Sequence, residues 1–447
     1  MTATPHSILI VQATIVNEGQ QWVGDVLVKE GRIVEIAEHI VAEADQVIDA
    51  KGLMLLPGMI DDQVHFRDPG LTAKGDIASE SKAAIAGGTT TFMDMPNVKP
   101  TTTTIENLEA KYQIGAEKAW SNYSFYFGAT NDNLDELKQV NPRNVCGVKV
   151  FMGASTGNML VDREQALRDI FTHSPTLITT HCEDTPMIIA QEEIYRAKYG
   201  DDIPAFEHPN IRCREACYKS SSFAVQLAQE TGADLHVLHL TTAEEMELFE
   251  PGPVEGKKIT AEACVHHLWF TEDDYVTKGH YIKCNPAIKK QSDRDAIRQA
   301  VRDGRIDIIA TDHAPHSESE KNNPYFSAPA GLPQVQQSIP ALLDMVHDGV
   351  FDIETIVQKT AHNVAIRYQI EERGYIREGY WADLILVDMN KPHTDDKAHN
   401  LYKCQWSPWE GHTFKSSIMS TIVSGELKYH QGQFAEFTPG KRVLFNR

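Results

Sequence analysis

The sequence predicts an α/β protein: a (β/α)8 TIM barrel with a small β-sandwich domain formed from both chain termini. Three observations predict it. Strand-like apolar runs alternate with helical stretches eight times between about residues 56 and 370. Short segments rich in Val, Ile and Gly occupy both ends of the chain. Nearly every strand candidate in the middle stops on a residue able to bind or catalyse, and a barrel gathers the C-terminal ends of its strands at one mouth.

The elements follow in order. SILIVQATIV, GDVLVKEGRIVEIA and DQVIDAKGLMLLPG read as short strands separated by turns, and make residues 1–57 the first part of the sandwich. The barrel, residues 58–370, begins on the apolar run LMLLPGMI. Its strand candidates are LPGMIDDQVHF, TTTFMDMPN, YSFYFGATN, VCGVKVFMG, TLITTHCED, DLHVLHLTT, KITAEACVHHLWF and DIIATDHAPH. Thr103-Thr104-Ile105-Glu106 reads as a capping box that opens the helix ENLEAKYQIGAEKAW. Gly232 closes the helix SSSFAVQLAQET, because a left-handed residue ends a helix and glycine adopts that conformation without penalty. GYIREGYWADLILVD and SIMSTIVSGELKYHQGQ are again strand-like, so residues 371–447 complete the sandwich. The segment SESEKNNPYFSAPAGLP, after His316, is long, polar and rich in Pro and Gly, and reads as a mobile or substrate-closing loop.

Composition narrows the function. The net charge is −21, with 41% hydrophobic and 23% charged residues, ordinary for a soluble globular chain. A surface that acidic repels phosphate backbones, which argues against a nucleic-acid partner. Seven scattered cysteines without a C-x-x-C pair suit reduced thiols in a cytoplasm. No apolar run approaches the length of a membrane span, and the N-terminus lacks the basic and apolar regions of a signal peptide.

The strand ends carry the chemistry. His65, His181, His239 and Asp312 are the imidazole and carboxylate donors that a divalent metal prefers. A single strand histidine is more often a hydrogen-bonded core residue; four such residues at four strand ends are a different matter. Lys149 lies within an apolar run, where an ammonium is costly unless paired or neutralised. It is either an edge-strand lysine reaching water or a lysine carbamylated by carbon dioxide. Arg67 and Asn97 can jointly grip a carboxylate, unless Arg67 merely pairs with Asp68 or Asp76. His266 and His267, neighbours on one strand candidate, face opposite ways, so at most one enters the mouth. Gly153-Ala154-Ser155-Thr156-Gly157 fits the nucleophile elbow G-x-S-x-G, but no oxyanion segment of the HGGG type accompanies it, and serine chemistry leaves the His and Asp set unexplained.

Together the segments PGMIDDQVHFRDPG, AGGTTTFMDMPNVKP, GVKVFMG, THCED, LHVLHLTT, KCNPAIK, IATDHAPH and YIREGYWADLILVD resemble the amidohydrolase superfamily, and within it the long, composite-domain dihydroorotases. The resemblance spans essentially the whole chain. It implies one or two zinc ions per chain. His65, a carbamylated Lys149 and Asp312 would hold one position, and His181 and His239 the other. It implies Arg67, Asn97, Asn285 and His316 as substrate-binding residues, and Asp312 as the catalytic base turned acid. The implied reaction is the reversible cyclisation of N-carbamoyl-L-aspartate to dihydroorotate in pyrimidine synthesis, by a cytoplasmic homo-oligomer such as a dimer. The Arg of HFRDPG separates this group from allantoinases and hydantoinases, which share the metal residues. Family members carry Arg where this chain has Lys289, which is given no role.

One position departs from the pattern. The family's H-x-H is here Gln63-Val64-His65, and an amide is a far poorer ligand than imidazole. Two other readings stay open: a related cyclic amidohydrolase acting on a hydantoin or allantoin, and a catalytically weak subunit that scaffolds aspartate transcarbamoylase.

Overall fold

Strands buried on both faces read as unbroken apolar runs, and eight of them line up in parallel around the centre of the molecule. The computed structural model describes residues 7–153 and 159–447. The barrel strands are Met59–Val64, Thr89–Asp94, Asn122–Phe125 continuing at Phe127–Gly128, Val148–Phe151, Ile178–His181, Leu235–Val237, Ile259–Cys264 and Ile308–Ala310. Each pairs in parallel with the next. The ring closes where the His65 amide donates to the His313 carbonyl at 2.7 Å. A side-chain stitch reinforces the seam: Thr311 donates to Asp61 through its hydroxyl at 2.6 Å and its amide at 3.1 Å. Burial pushes the Asp61 carboxyl up to about 8 despite those donors.

Helices between the strands start and stop on their own side chains. Asp76 opens Ile77–Ala86 by accepting from the Ser79 amide. Thr104, one residue later than the sequence reading placed the cap, opens Ile105–Lys118 by accepting from the Asn107 amide. Gly232, at φ 74°, closes Arg214–Thr231. No helix among the described residues is long and apolar enough to cross a membrane.

The sheet-rich domain draws on both ends of the chain. Its nine-stranded sheet runs Gln433–Phe434, Glu426–His430, Ser417–Val423, Leu384–Asp388, Met54–Pro57, Ser7–Asn17, Gln20–Lys29, Arg32–Ala37, with Gln46–Asp49 beside Ser7–Asn17. N- and C-terminal halves meet where Met54–Pro57 lies antiparallel to Leu384–Asp388. Ile8, Ile10 and Leu55 from one half pack with Leu384, Leu386 and Ile422 from the other.

Two readings change in the structure. His266 and His267 are not on a strand: the seventh strand ends at Cys264, and Val265–Trp269 is a short helix. The segment after His316 is pinned rather than loose. Lys321, buried, donates to the carbonyls of Lys283, Pro329 and Gly331 at 3.2, 2.9 and 2.8 Å, and Lys283 donates to Ala328 at 2.7 Å. The G-x-S-x-G loop lies outside the described residues from position 154 onward.

Phe92 is fully buried in the second strand, with its ring centroid 4.4 Å from that of Phe66. Phe92→Ala is expected to lower stability by ~3–5 kcal/mol, through lost burial plus the cavity left behind. Urea unfolding followed by circular dichroism checks it; a loss below ~1 kcal/mol would mean that the barrel wall relaxes around the gap.

Candidate active site

The strand ends converge on one cavity. His65, Arg67, Asn97, Lys149, His181, His239, Asn285, Asp312 and His316 all line it, together with Gln63, Phe151 and the loop residues Pro329–Gly331. Residues brought from eight parts of the sequence therefore share one mouth, as barrel closure requires. Three of them sit in a backbone conformation that side chains avoid: Arg67, His239 and Asp312 have φ of 68°, 39° and 49°. Such positions cost ~1–3 kcal/mol each and persist where the surroundings over-determine them.

The imidazoles are set up as neutral donors. Burial pushes His65, His181 and, most strongly, His239 below their ordinary range. His181 Nε2 contacts Glu183 Oε2 at 2.8 Å, so its proton sits on that nitrogen. The lone pair on His181 Nδ1 then faces His239 Nε2 at 3.0 Å. His239 Nδ1 is buried without a partner. Two imidazole nitrogens directed at one point suit a shared cation. On the other side of the mouth, His65 Nε2 lies 3.2 Å from Asp312 Oδ1. His65 Nδ1 contacts Asn97 Oδ1 at 2.8 Å, which fixes the ring. The donor set suits a divalent metal.

Gln63 does not point its carbonyl at that position. Its amide nitrogen donates to Asp312 Oδ1 at 3.2 Å, while its oxygen faces Cys264 Sγ at 3.9 Å. The amide thus holds Asp312 and leaves Asp312 Oδ2 without a hydrogen bond among the described residues. Lys149 is 1% exposed, which removes the reading of a lysine that reaches water. Its Nζ lies 4.7 Å from the Phe151 ring centroid, and burial lowers its pKa to about 8.

Arg67 is equally telling. Asp68 pairs with Lys118 at 3.1 Å and Asp76 with Lys403 at 2.8 Å, so neither carboxylate neutralises it. Its Nε donates to the Pro315 carbonyl at 3.2 Å, and its Nη2 lies 3.1 Å from His316 Nε2. Lys74 donates to His316 Nδ1 at 3.0 Å, which leaves the His316 proton on Nε2, directed also at the Ala330 carbonyl at 3.0 Å. Two N–H donors therefore crowd each other at the cavity wall, an arrangement that an anion would relieve. Asn285 adds a buried side-chain oxygen with no partner.

The profile of the amidohydrolase family matches residues 54–428. The chain belongs to the amidohydrolase family. This amidohydrolase is 33% identical to a dihydroorotase of Halobacterium salinarum, over 90% of this chain and 94% of that one. It is 30% identical to an allantoinase of Desulfitobacterium hafniense, over 94% of each. Among solved structures, the L-hydantoinase of Arthrobacter aurescens superimposes with a TM-score of 0.90 over 96% of this chain and 97% of that one, at 24% identity. The amidohydrolase is accordingly a metal-dependent cyclic amide hydrolase on a barrel with a sheet-rich terminal domain.

Sequence reasoning missed the groups behind the first row. Glu183 is fully buried between His181 and Arg212, whose Nη1 donates to Glu183 Oε2 at 2.9 Å. Burial pushes the Glu183 carboxyl up, but Arg212 and His181 outweigh it and hold it at about 2. Its place two residues after His181, just past the end of the strand, was a readable signal; Arg212 offered none. Glu183→Gln in this amidohydrolase is expected to weaken metal retention 10–100-fold, since the partner behind a metal-type histidine orients the ring and raises its basicity. Competition with a graded chelator measures this; unchanged retention would make Glu183 purely a packing residue.

Proposed function

We propose that this amidohydrolase is a dihydroorotase, opening and closing the ring between dihydroorotate and N-carbamoyl-L-aspartate. The observation that carries the reading is Arg67, a buried guanidinium at the cavity wall with no carboxylate partner among the described residues. A substrate bearing a ring carboxylate supplies that partner. Allantoin and hydantoins do not, and would leave a buried cation unsatisfied. Asn97 and the His316 N–H complete the grip, and the free Asn285 oxygen is placed to accept a ring N–H.

Zinc suits the neutral imidazoles and carboxylate, with His65, Lys149 and Asp312 on one side and His181 and His239 on the other. Such an ion lowers the pKa of water and polarises the ring carbonyl. The chain's own residues do the rest. Asp312, its Oδ1 held by the Gln63 amide, takes the proton of the attacking water on Oδ2 and returns it to the leaving ring nitrogen. Arg67 and Asn97 orient the ring for that transfer. Lys149, dry and depressed in pKa, would as the neutral amine add carbon dioxide and release a proton, giving a carbamate whose anionic oxygens would help hold a cation. Gln63 leaves the first position one imidazole poorer and steadies Asp312 in exchange. The seven free thiols suit work in the cytoplasm.

The test is ring opening of dihydroorotate by the purified, zinc- and bicarbonate-supplemented protein, followed as loss of ultraviolet absorbance. Saturable turnover abolished by a chelator supports the proposal. Turnover of hydantoin or allantoin but not of dihydroorotate would replace it.

A further inference from the structure

Below the mouth lies a second cluster of donors that the reaction does not use. Asp62, His236 and Glu262 come from the first, sixth and seventh barrel strands, are all fully buried, and do not line the cavity. One ligand atom from each lies within 4.8 Å of each of the others. His236 Nε2 is 3.3 Å from Asp62 Oδ2 and 3.9 Å from Glu262 Oε2. A tetrahedral zinc with bonds of about 2.0–2.1 Å spans donor pairs about 3.3 Å apart, so the cluster is close to that size before any ion draws it in.

The pattern of hydrogen bonds is what sets this cluster apart. Each of the three side chains has one polar atom held from behind and one left over. Tyr368 donates to Asp62 Oδ2 at 2.8 Å, and Tyr126 braces both the Tyr368 hydroxyl and the Asp62 carbonyl. His236 Nδ1 contacts the Thr260 hydroxyl at 2.8 Å. The His239 amide donates to Glu262 Oε1 at 2.8 Å. Asp62 Oδ1, His236 Nε2 and Glu262 Oε2 are buried without a hydrogen-bond partner. The Asp62 oxygen that faces His236 is Oδ2, the one Tyr368 supports, while His236 Nε2 and Glu262 Oε2 are free; ligands buttressed from behind in this way are the outer-shell arrangement of a metal site. Charge points the same way. No lysine or arginine pairs with either carboxylate among the described residues, and two buried carboxylates side by side are expensive without a cation between them.

We propose that Asp62, His236 and Glu262 bind a divalent transition-metal ion of the zinc or manganese class, structural in role and separate from the metal of the mouth. With all three ligands fully buried, the ion enters as the barrel closes. It ties three strands together directly beneath Gln63 and His239.

Wild-type crystals grown without added metal test this, with data collected above and below the zinc and manganese edges. An anomalous peak within bonding distance of Asp62, His236 and Glu262 is expected. Density there without anomalous signal, or no density, overturns the proposal in favour of a trapped water or a shared proton. Metal content of the folded protein gives a second reading. Asp62→Asn is expected to carry about one equivalent less than wild type, while Cys264→Ser carries the full amount. Unchanged content in Asp62→Asn, with the loss appearing in Cys264→Ser, would move the site to the neighbouring Cys264, His266 and His267 and refute the assignment. Neither readout depends on which ring the enzyme opens.

Discussion

Asp312→Asn is expected to lower kcat for dihydroorotate by about 10³–10⁴-fold, with KM changed by less than about tenfold. The reason is geometric. The Gln63 amide donates to Asp312 Oδ1 at 3.2 Å and His65 Nε2 lies 3.2 Å from the same oxygen, so Oδ2 is the oxygen free to carry a proton between water and the leaving nitrogen. Asparagine keeps the size and one oxygen, but its amide cannot accept and return a proton at neutral pH. The acidic limb of the kcat–pH profile, which reports the base, should vanish with the rate. A variant that keeps its metal and circular dichroism yet turns over within tenfold of wild type would remove Asp312 from the proton path.

Arg67→Met should reverse the substrate preference. Losing one side of a buried charged contact costs ~2–5 kcal/mol, which is roughly 30- to 4,000-fold in kcat/KM for dihydroorotate. Dihydrouracil, the same ring without its carboxylate, gains nothing from the guanidinium and should lose nothing. The ratio of the two specificity constants reads the clamp directly. If both substrates fall together, Arg67 is holding the Pro315 carbonyl and His316 in place rather than gripping substrate.

The sequence made the mouth legible because a barrel strand is buried on both sides until its last residues. In VCGVKVFMG or TLITTHCED, a charged or ligating residue stands out against an apolar run and has one place to go. What lay beyond reading came from contacts between distant segments. Arg212 reaches Glu183 from the turn between the helices His208–Ile211 and Arg214–Thr231, and Lys321 ties the Lys283 carbonyl to those of Pro329 and Gly331 in its own loop. Side chains that bond to backbone leave no charge pattern to find. The His266-His267 pair was misplaced because apolar residues continue through KITAEACVHHLWF past the strand end at Cys264, and a short apolar run does not distinguish a strand from the helical turn that follows it. Asp62, His236 and Glu262 carry no mark in the sequence that groups them: only the third dimension brings them together.

The pairing of Met54–Pro57 with Leu384–Asp388 also sets a clock on biosynthesis. The early strand leaves the ribosome with one edge bare, and its partner is not yet made. At 5–20 residues per second, the wait is about 20–60 s. Through that interval the Leu55 and Leu56 backbone presents unpaired N–H and C=O groups to the cell, while the barrel between them and Leu384 has time to assemble first. Slowing translation late in the message would lengthen this exposure, and a chaperone that shields strand edges would find its client here.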